Sequence, residues 1–239
     1  MNKQVVFLLD VDNTLLDGDC WIVDLKRYIE REIGETSAAR YWVIFNQIRT
    51  ELGYVDYLGA LQHFRLEVDG RNNVQIVEPQ QLSRIASYII DYPFAERLYD
   101  RAFEVIRHLS RFGTSVILTD GDIVLQPRKI QRAGLWEAVD GRVLIYVYKE
   151  QKLAAIEQRY PAQHYVLIDD KPSVLAAVKS SWQSRVTTIL PLQGHYALDA
   201  AGLSNYDAPD IIVGDIGALA NLDLQAIFEK IPETCQNTA

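Results

Sequence analysis

The sequence contains little cysteine and no excess of positive charge, and each shortage excludes a class of protein. Its 239 residues include two cysteines, Cys20 and Cys235, far apart and without a cysteine or histidine at a zinc-binding spacing. Neither a disulfide framework nor a zinc site is indicated, and a reducing cytoplasm is the expected location. Lysine and arginine number 24 against 32 aspartates and glutamates, a net charge of -8. This balance argues against nucleic acid as a partner, because binding a phosphate backbone needs a positive surface.

Long apolar runs are also missing. The first run, Val5 to Leu9, is five residues long and ends at an aspartate, and no later run comes closer to a membrane span. Such runs are too short for a signal-peptide core or a membrane-spanning helix, so no membrane association is expected. The remaining composition, 49% hydrophobic and 23% charged, is typical of a folded globular protein. The length predicts one domain with an additional unit, or two domains.

Six short apolar runs are the main structural signal. Each is bounded by polar or turn residues, as expected of strands in a parallel sheet covered by helices on both faces. Helical periodicity fills the intervals between the later runs, which predicts an α/β fold. The runs are Val5 to Leu9, Ser115 to Leu118, Val143 to Val147, Tyr165 to Ile168, Val186 to Leu190 and Ile211 to Val213.

A long interval of helical pattern separates the first run from the second. Four stripes of apolar residues recur in it at helical spacing, and Pro93 follows the last stripe. Four amphipathic helices between two strands predict an inserted all-helical subdomain, placed at residues 18–95, with a core of residues 1–17 and 96–239. The stripes are Ile22, Leu25, Ile29 and Ile33; Tyr41, Phe45, Ile48 and Leu52; Tyr57, Leu61 and Phe64; and Leu82, Ile85 and Ile89.

Acidic residues follow two of the predicted strands. The first strand leads into Asp10 and Asp12, and the strand Tyr165 to Ile168 leads into Asp169 and Asp170. Because the carboxyl ends of parallel strands share one edge of a sheet, the four carboxylates are expected to converge there. Two carboxylates ~4 Å apart repel by about 4 kcal/mol at an effective dielectric of 20, so such a cluster needs a cation. A ligand set made only of oxygen atoms predicts Mg²⁺.

Further candidates lie after the second and third strands. Thr119 ends the second strand, and the Asp120-Gly121 turn after it is expected to expose backbone N–H groups that can hold an anionic oxygen. Lys149 follows the third strand, and Lys152 comes three residues later. One of these lysines is expected to offset the charge of a bound phosphate, and the residues alone leave both open.

Taken in order, these four clusters resemble the motifs of the haloacid dehalogenase (HAD) superfamily, specifically its phosphatase-like members with an inserted helical (C1-type) cap. The matching segments are FLLDVDNTLL, ILTDG, YKEQKL and LIDDKP. The helical interval lies where the cap of the family lies, and APDIIVGDIGAL is similar to the family's final strand and helix. The resemblance implies a Rossmann-like core with a central first strand and a mobile lid of helices over the site.

The resemblance also implies a role for each candidate. Asp10 would be the nucleophile and Asp12 the general acid and base, while Thr119, the Asp120 loop and the motif lysine would bind the phosphoryl group. The third motif lacks the common Lys-Pro pair, so Lys149 is preferred to Lys152 on spacing alone. The implied ligands of Mg²⁺ are Asp10, the backbone carbonyl of Asp12, Asp169 and Asp170. The compact Asp-Asp form of the fourth motif leaves open which of its two carboxylates contacts the metal directly.

The expected function is Mg²⁺-dependent hydrolysis of a small phosphorylated metabolite through an aspartyl-phosphate. Asp12 can protonate the leaving alkoxide and later take a proton from the attacking water. A dehalogenase attacks carbon and releases no alkoxide, so Asp12 argues against that activity. Two alternatives stay open: a phosphomutase or phosphotransferase that uses the same residues, and a non-catalytic binding protein that retains the fold.

Overall fold

The computed structural model describes residues 4–70 and 77–224, and Cys235 lies outside them. Six described strands form one parallel sheet in the order β3-β2-β1-β4-β5-β6, so the first strand is central. The predicted α/β class is confirmed, and every predicted strand agrees with its observed bounds to within two residues. The strands are β1 (Val5–Leu9), β2 (Thr114–Asp120), β3 (Val143–Tyr146), β4 (His164–Ile168), β5 (Val186–Pro191) and β6 (Ile211–Val213).

Helices connect the strands. None of the described helices is long and apolar enough to cross a membrane. They are α1 (Gly18–Ile33), α2 (Glu35–Leu52), α3 (Tyr57–Gly70), α4 (Pro79–Asp91), α5 (Ala102–Leu109), α6 (Leu125–Arg132), α7 (Leu135–Ala138), α8 (Leu153–Arg159), α9 (Pro172–Trp182), α10 (Gly194–Leu198) and α11 (Ala200–Leu203). Short 3₁₀ helices occupy Phe94–Arg97, Lys149–Gln151, Gln183–Arg185 and Ile216–Asn221.

Both faces of the sheet are buried at its central strands, β1 and β4. Phe7 and Leu9 belong to a core shared with α5, whereas Val6 and Leu8 belong to a second core shared with α9. Successive side chains of a strand point to opposite faces, so a strand covered on both sides must be apolar at every position. The uninterrupted run Val5 to Leu9 is explained in this way, since no residue of β1 is more than 2% exposed.

Helices α1 to α4 form the insert between β1 and β2. α1 and α3 each pack against both α2 and α4, whereas α5 packs on β2 in the core. The four predicted stripes lie on buried faces, except that Ile22 is half-buried and Leu52, at the C-terminal end of α2, is exposed. The predicted helical insertion is confirmed. Its bounds, 18–95, stay a prediction: α1 begins at Gly18, and the second bound falls within the 3₁₀ helix Phe94–Arg97.

Candidate active site

The loop after β1 holds its two aspartates in fixed and different positions. The backbone N–H of Asp10 donates to the carbonyl of Ile168 at 3.0 Å, which extends the pairing of β1 with β4. The side-chain amide of Gln193 donates to the carbonyls of Asn13 and Thr14 at 3.0 and 2.7 Å. With the loop held at both ends, Asp10 is buried, whereas the side chain of Asp12 keeps 36% of its surface exposed.

Three of the predicted acids converge at the carboxyl edge of the sheet. Carboxylate oxygens of Asp10, Asp169 and Asp170 lie within 4.8 Å of one another, and all three residues are buried. The Nζ atom of Lys149 lies 2.5 Å from Asp10 Oδ1 and 2.6 Å from Asp169 Oδ2. Lys149 is fully buried, whereas Lys152 is exposed at the start of α8. The structure therefore brings Lys149 into the cluster and leaves Lys152 outside it.

The three acids of the cluster outnumber the one lysine that forms ion pairs with them. Burial raises the pKa of Asp170 to about 9, and the neighbouring carboxylates of Asp169 and Asp10 contribute to this rise. Burial also raises the pKa of Asp10, although the Lys149 ammonium acts in the opposite direction. For Lys149 itself, burial lowers the pKa, but Asp10 and Asp169 outweigh burial and the pKa lies above its ordinary value. Lys149 therefore pairs with Asp10 and Asp169, and Asp170 has no ion pair among the described residues.

Both carboxylate oxygens of Asp170 lack a hydrogen-bond partner among the described residues. A buried polar group without a partner costs about 1–3 kcal/mol, and more if it is charged. A divalent cation would satisfy these oxygens and offset the charge of the cluster, and a set of carboxylate oxygens is what Mg²⁺ prefers. The residues present therefore fit a magnesium ion.

The carboxylate of Asp12 lies outside this cluster and is bound by helix α6. The Nζ atom of Lys129 donates to its two oxygens at 2.7 and 2.8 Å, and Gln126 Nε2 donates to Oδ2 at 3.0 Å. Lys129 and Gln126 are both buried. Burial raises the pKa of Asp12, but the Lys129 ammonium and these hydrogen bonds outweigh burial, so the pKa lies below its ordinary value. Asp12 is therefore held as a carboxylate that faces Lys129.

Lys129 and Gln126 were not among the residues predicted for the site. They are three residues apart on α6, the first helix after Thr119, and residues at that spacing share a helix face. That spacing was the available signal. It is a weak one, since most polar pairs at this spacing lie on solvated helix surfaces.

The loop after β2 differs from expectation in one respect. Thr119 is buried at the edge of the site, and its hydroxyl accepts a hydrogen bond from Gln126 Nε2 at 3.0 Å. The Gly121 N–H, expected to be free for an anion, donates to the Tyr146 carbonyl at 3.0 Å. That part of the prediction is wrong, because pairing of β2 with β3 continues into the turn and uses this amide.

Two further charged residues, Asp120 and Lys171, lie close to Lys149. Asp120 Oδ1 accepts the Lys149 backbone N–H at 2.9 Å, and Asp120 Oδ2 lies 3.5 Å from Lys171 Nζ. Burial lowers the pKa of Lys171, but the carboxylates of Asp10, Asp169 and Asp120 outweigh it and raise the pKa. Asp120 therefore positions the two lysines through its carboxylate. No role was predicted for Lys171. Its side chain adds a second ammonium beside the acids.

A cavity of about 1030 Å³ lies between these groups and the insert. The core contributes Asp12, Asp120, Asp170 and Lys171 to its lining, and helices α1 and α2 contribute aromatic and basic side chains. Of the four predicted acids, Asp12 and Asp170 line this cavity, which the insert covers, whereas Asp10 and Asp169 lie buried beside it.

Solved structures of other proteins are similar to this one. A protein of Burkholderia xenovorans LB400 described as a haloacid dehalogenase-like hydrolase is 50% identical, over 92% of this chain and 99% of that one, with a TM-score of 0.84. The HAD-hydrolase YfnB of Bacillus subtilis, solved bound to magnesium, is 14% identical over 93% of this chain and 100% of that one, with a TM-score of 0.61. The L-2-haloacid dehalogenase of Xanthobacter autotrophicus is 16% identical over 97% and 100%, with a TM-score of 0.57. At 14% and 16% identity, the last two show a likeness of fold alone.

No protein-family model matches the sequence, and no curated protein matches it either.

Proposed function

The chain belongs to the haloacid dehalogenase-like hydrolase superfamily, and we propose that it is a Mg²⁺-dependent phosphatase that hydrolyses a small phosphorylated metabolite through an aspartyl-phosphate. The observation that carries the proposal is the buried cluster of Asp10, Asp169 and Asp170, in which both carboxylate oxygens of Asp170 have no hydrogen-bond partner among the described residues. A divalent cation completes such a site, whereas dehalogenation at carbon requires none. The magnesium bound by the Bacillus subtilis relative supports this choice of cation.

The residues that would hold Mg²⁺ are Asp10, Asp169 and Asp170. When bound, the ion would withdraw charge from the phosphoryl oxygens, which otherwise repel an attacking carboxylate. Lys149 and Thr119 line the same edge of the sheet and would contact those oxygens with an ammonium and a hydroxyl group. The proposal also includes a metal contact from the backbone carbonyl of Asp12, which the family resemblance implies.

The first chemical step is assigned to Asp10. One of its carboxylate oxygens attacks phosphorus, a bond from that oxygen to phosphorus forms, and the bond from phosphorus to the ester oxygen breaks. The leaving alkoxide takes a proton from Asp12. The attack divides one difficult displacement into two easier ones. Burial of Asp10 keeps bulk water away from the nucleophile until the ester has reacted.

The second step is assigned to Asp12 and water. Asp12 takes a proton from a water molecule, the water oxygen bonds to phosphorus, and the bond to Asp10 breaks to release phosphate. Proton transfer of this kind contributes about 10²- to 10⁴-fold to a rate. Lys129 and Gln126 favour the ionised form of Asp12 needed for this step. A bound phosphate dianion adds negative charge beside Asp12, which favours the protonated form needed in the first step.

The proposal is tested with p-nitrophenyl phosphate. Release of nitrophenolate is expected from the wild type with Mg²⁺, and no release is expected with EDTA or from Asp10→Asn. Nitrophenolate needs no proton to leave, so Asp12→Asn is expected to release about one equivalent and then stop, with phosphate bound covalently to the enzyme. Full activity of Asp10→Asn would refute the proposal.

Parallel assays separate the alternatives. Chloride release from 2-chloropropionate without metal, together with no phosphate release, would make the protein a dehalogenase. Transfer of labelled phosphate to an added alcohol in place of water would make it a phosphotransferase. A non-catalytic protein would show none of these reactions.

A further inference from the structure

The cavity beside the acids has room for much more than a phosphate group. Its volume of about 1030 Å³ is at the upper end of the ~300–1,000 Å³ that small-molecule sites occupy. Its far side is built by the insert, from residues that take no part in the chemistry proposed above. The composition of that side therefore describes the organic group of the substrate.

One face of helix α2 looks into the cavity. Trp42, Phe45, Asn46, Arg49 and Gly53 all line it, and their spacing of three and four residues places them on a single helix face. This face differs from the apolar stripe of α2, which packs inside the insert. The helix therefore has a core face and a cavity face, with Phe45 at the border between them.

Seven aromatic side chains line the cavity, and they differ in how much surface they leave free. Three are buried and packed on one another: Phe45 stacks on Tyr57 with ring centroids 4.9 Å apart, and Trp21 meets Tyr57 edge-on at 5.6 Å. This packing makes the wall rigid. The four that are not fully buried are Trp42, Tyr54, Tyr148 and Tyr196. Rings presented in this way can gain offset or edge-on contact with another aromatic ring, beyond the burial of area.

The insert also brings unpaired positive charge to the cavity. Its charged lining residues are Asp19, Lys26 and Arg49. Asp19 is occupied by His195, whose backbone N–H lies 2.8 Å from Oδ2 and whose ring nitrogen Nδ1 lies 2.6 Å from Oδ1. Arg49 and Lys26 form no ion pair within the described part of the chain. The Arg49 guanidinium donates to the Tyr196 hydroxyl at 3.3 Å, and Lys26 lies over the Trp42 ring at 5.6 Å.

We infer that the organic group of the substrate is flat and aromatic and carries a second anionic group, which Arg49 and Lys26 bind while the rings of the cavity enclose the aromatic part. The inference rests on the proposed phosphatase function, because that function places the phosphoryl group at Asp10. The charges of the cavity fix the orientation: a second anion is repelled by the acids of the core and attracted by the free cations of the insert.

Contacts across the cavity place Arg49 where it can meet such a group. Arg49 reaches Tyr196 of α10, and Gly53, one turn further on, lies against Tyr148, because a Cβ atom there would overlap the Tyr148 hydroxyl. The cavity face of α2 therefore meets the core at two points. An anion bound by Arg49 would lie beside the junction of the insert with the core.

Three phosphate esters with matched leaving groups test the inference: cyclohexylmethyl phosphate, benzyl phosphate and 4-carboxybenzyl phosphate. All three release a primary alkoxide, so differences in kcat/KM report contacts with the organic group. The wild type is expected to prefer benzyl over cyclohexylmethyl phosphate by about fivefold, which corresponds to about 1 kcal/mol of ring contact. The carboxylate is expected to add about fivefold to tenfold.

Variants separate the two contributions. Arg49→Met is expected to remove most of the carboxylate gain and to leave the preference for benzyl over cyclohexylmethyl phosphate in place. Trp42→Leu is expected to reduce the aromatic preference, and Trp42→Phe to retain it. Arg27→Met is the matched control, since Arg27 is exposed on α1 and is not a lining residue. Thermal melting checks that each variant is folded.

The outcomes distinguish this inference from the function on which it rests. Equal kcat/KM for all three esters, or a carboxylate gain that survives in Arg49→Met, would overturn the inference and leave the phosphatase proposal standing. If no ester is hydrolysed, the phosphatase proposal fails. Binding of the three corresponding phosphonates, measured by tryptophan fluorescence with Mg²⁺, then decides the inference: the order 4-carboxybenzyl, benzyl, cyclohexylmethyl supports it, and any other order overturns it.

Discussion

Replacing Lys149 by methionine is expected to destabilise the metal-free protein far more than the same replacement at Lys152. The Lys149 ammonium is fully buried and lies 2.5 and 2.6 Å from two carboxylates, whereas Lys152 is exposed. Removing one partner of a buried ion pair costs about 3–5 kcal/mol, because the remaining charge stays buried without compensation. An exposed substitution changes the free energy of unfolding by about 0.5 kcal/mol or less. The two variants make the same chemical change in the same motif.

The deficit of the Lys149→Met variant is expected to grow with pH. Burial already raises the pKa of Asp10, and loss of the ammonium raises it further. A carboxyl whose pKa is higher in the folded state binds more protons there than in the unfolded chain. The free energy of unfolding therefore falls as the pH rises above the unfolded-state pKa of about 4. The variant loses less stability relative to the wild type at pH 5 than at pH 8.

Urea unfolding in EDTA at pH 5 and pH 8 measures both effects, and a thermal scan gives a check. At about 2–4 °C per kcal/mol for a chain of this size, the melting temperature of the Lys149→Met variant should fall by about 10 °C. Added Mg²⁺ should recover part of the loss, since it supplies positive charge to the same carboxylates. Equal stability of the two lysine variants at pH 8 would refute the view that the Lys149 ammonium compensates the buried carboxylates around it.

Three further predictions follow from other contacts. Asp170→Asn should raise the Mg²⁺ concentration needed for half-maximal thermal stabilisation by about tenfold or more, because it removes one carboxylate from the cluster; an unchanged midpoint would contradict its role. Lys129→Met should move the acidic limb of the kcat profile for p-nitrophenyl phosphate to higher pH, since Asp12 is the base of the second step and burial raises its pKa once the ammonium that lowers it is gone; an unmoved limb would contradict this. Gly53→Ala should lower the free energy of unfolding by about 1–3 kcal/mol, because Gly53 has φ of 77° and its Cβ would overlap the Tyr148 hydroxyl; urea unfolding at wild-type stability would exclude that contact.

The strands and their acidic ends could be predicted because the constraint on them is local. A strand buried on both faces must be apolar throughout, so a run such as Val5 to Leu9 can be recognised as a strand without knowing which strands pair with it. Acids directly after two such runs must lie at one edge once the strands are parallel. The approach of Asp10 to Asp169 and Asp170 follows from these rules, although the three residues span about 160 positions of sequence.

The choice between Lys149 and Lys152 could not be predicted in the same way. A 3₁₀ helix, Lys149–Gln151, begins directly at Lys149, and Asp120 accepts the backbone N–H of that residue. This turn directs Lys149 towards β1 and leaves Lys152 at the exposed start of α8. Spacing in the sequence does not reveal a short 3₁₀ turn, because its three residues are too few to form a periodic pattern.

Two buried lysines explain how aspartates only two residues apart can take different parts in one reaction. Asp10 points into a cluster in which burial and Asp169 together raise its pKa, and its ammonium partner is shared with a second carboxylate. Asp12 points to the other side of the loop, where the Lys129 ammonium donates to both of its carboxylate oxygens and lowers its pKa. Opposite shifts in adjacent acids are the pattern by which active sites assign separate roles to chemically identical groups. If Lys129 were lost, nothing of similar strength would oppose burial at Asp12, and the pKa of both aspartates would be raised. The difference between nucleophile and base therefore depends on helix α6 as much as on the motif that carries the two aspartates.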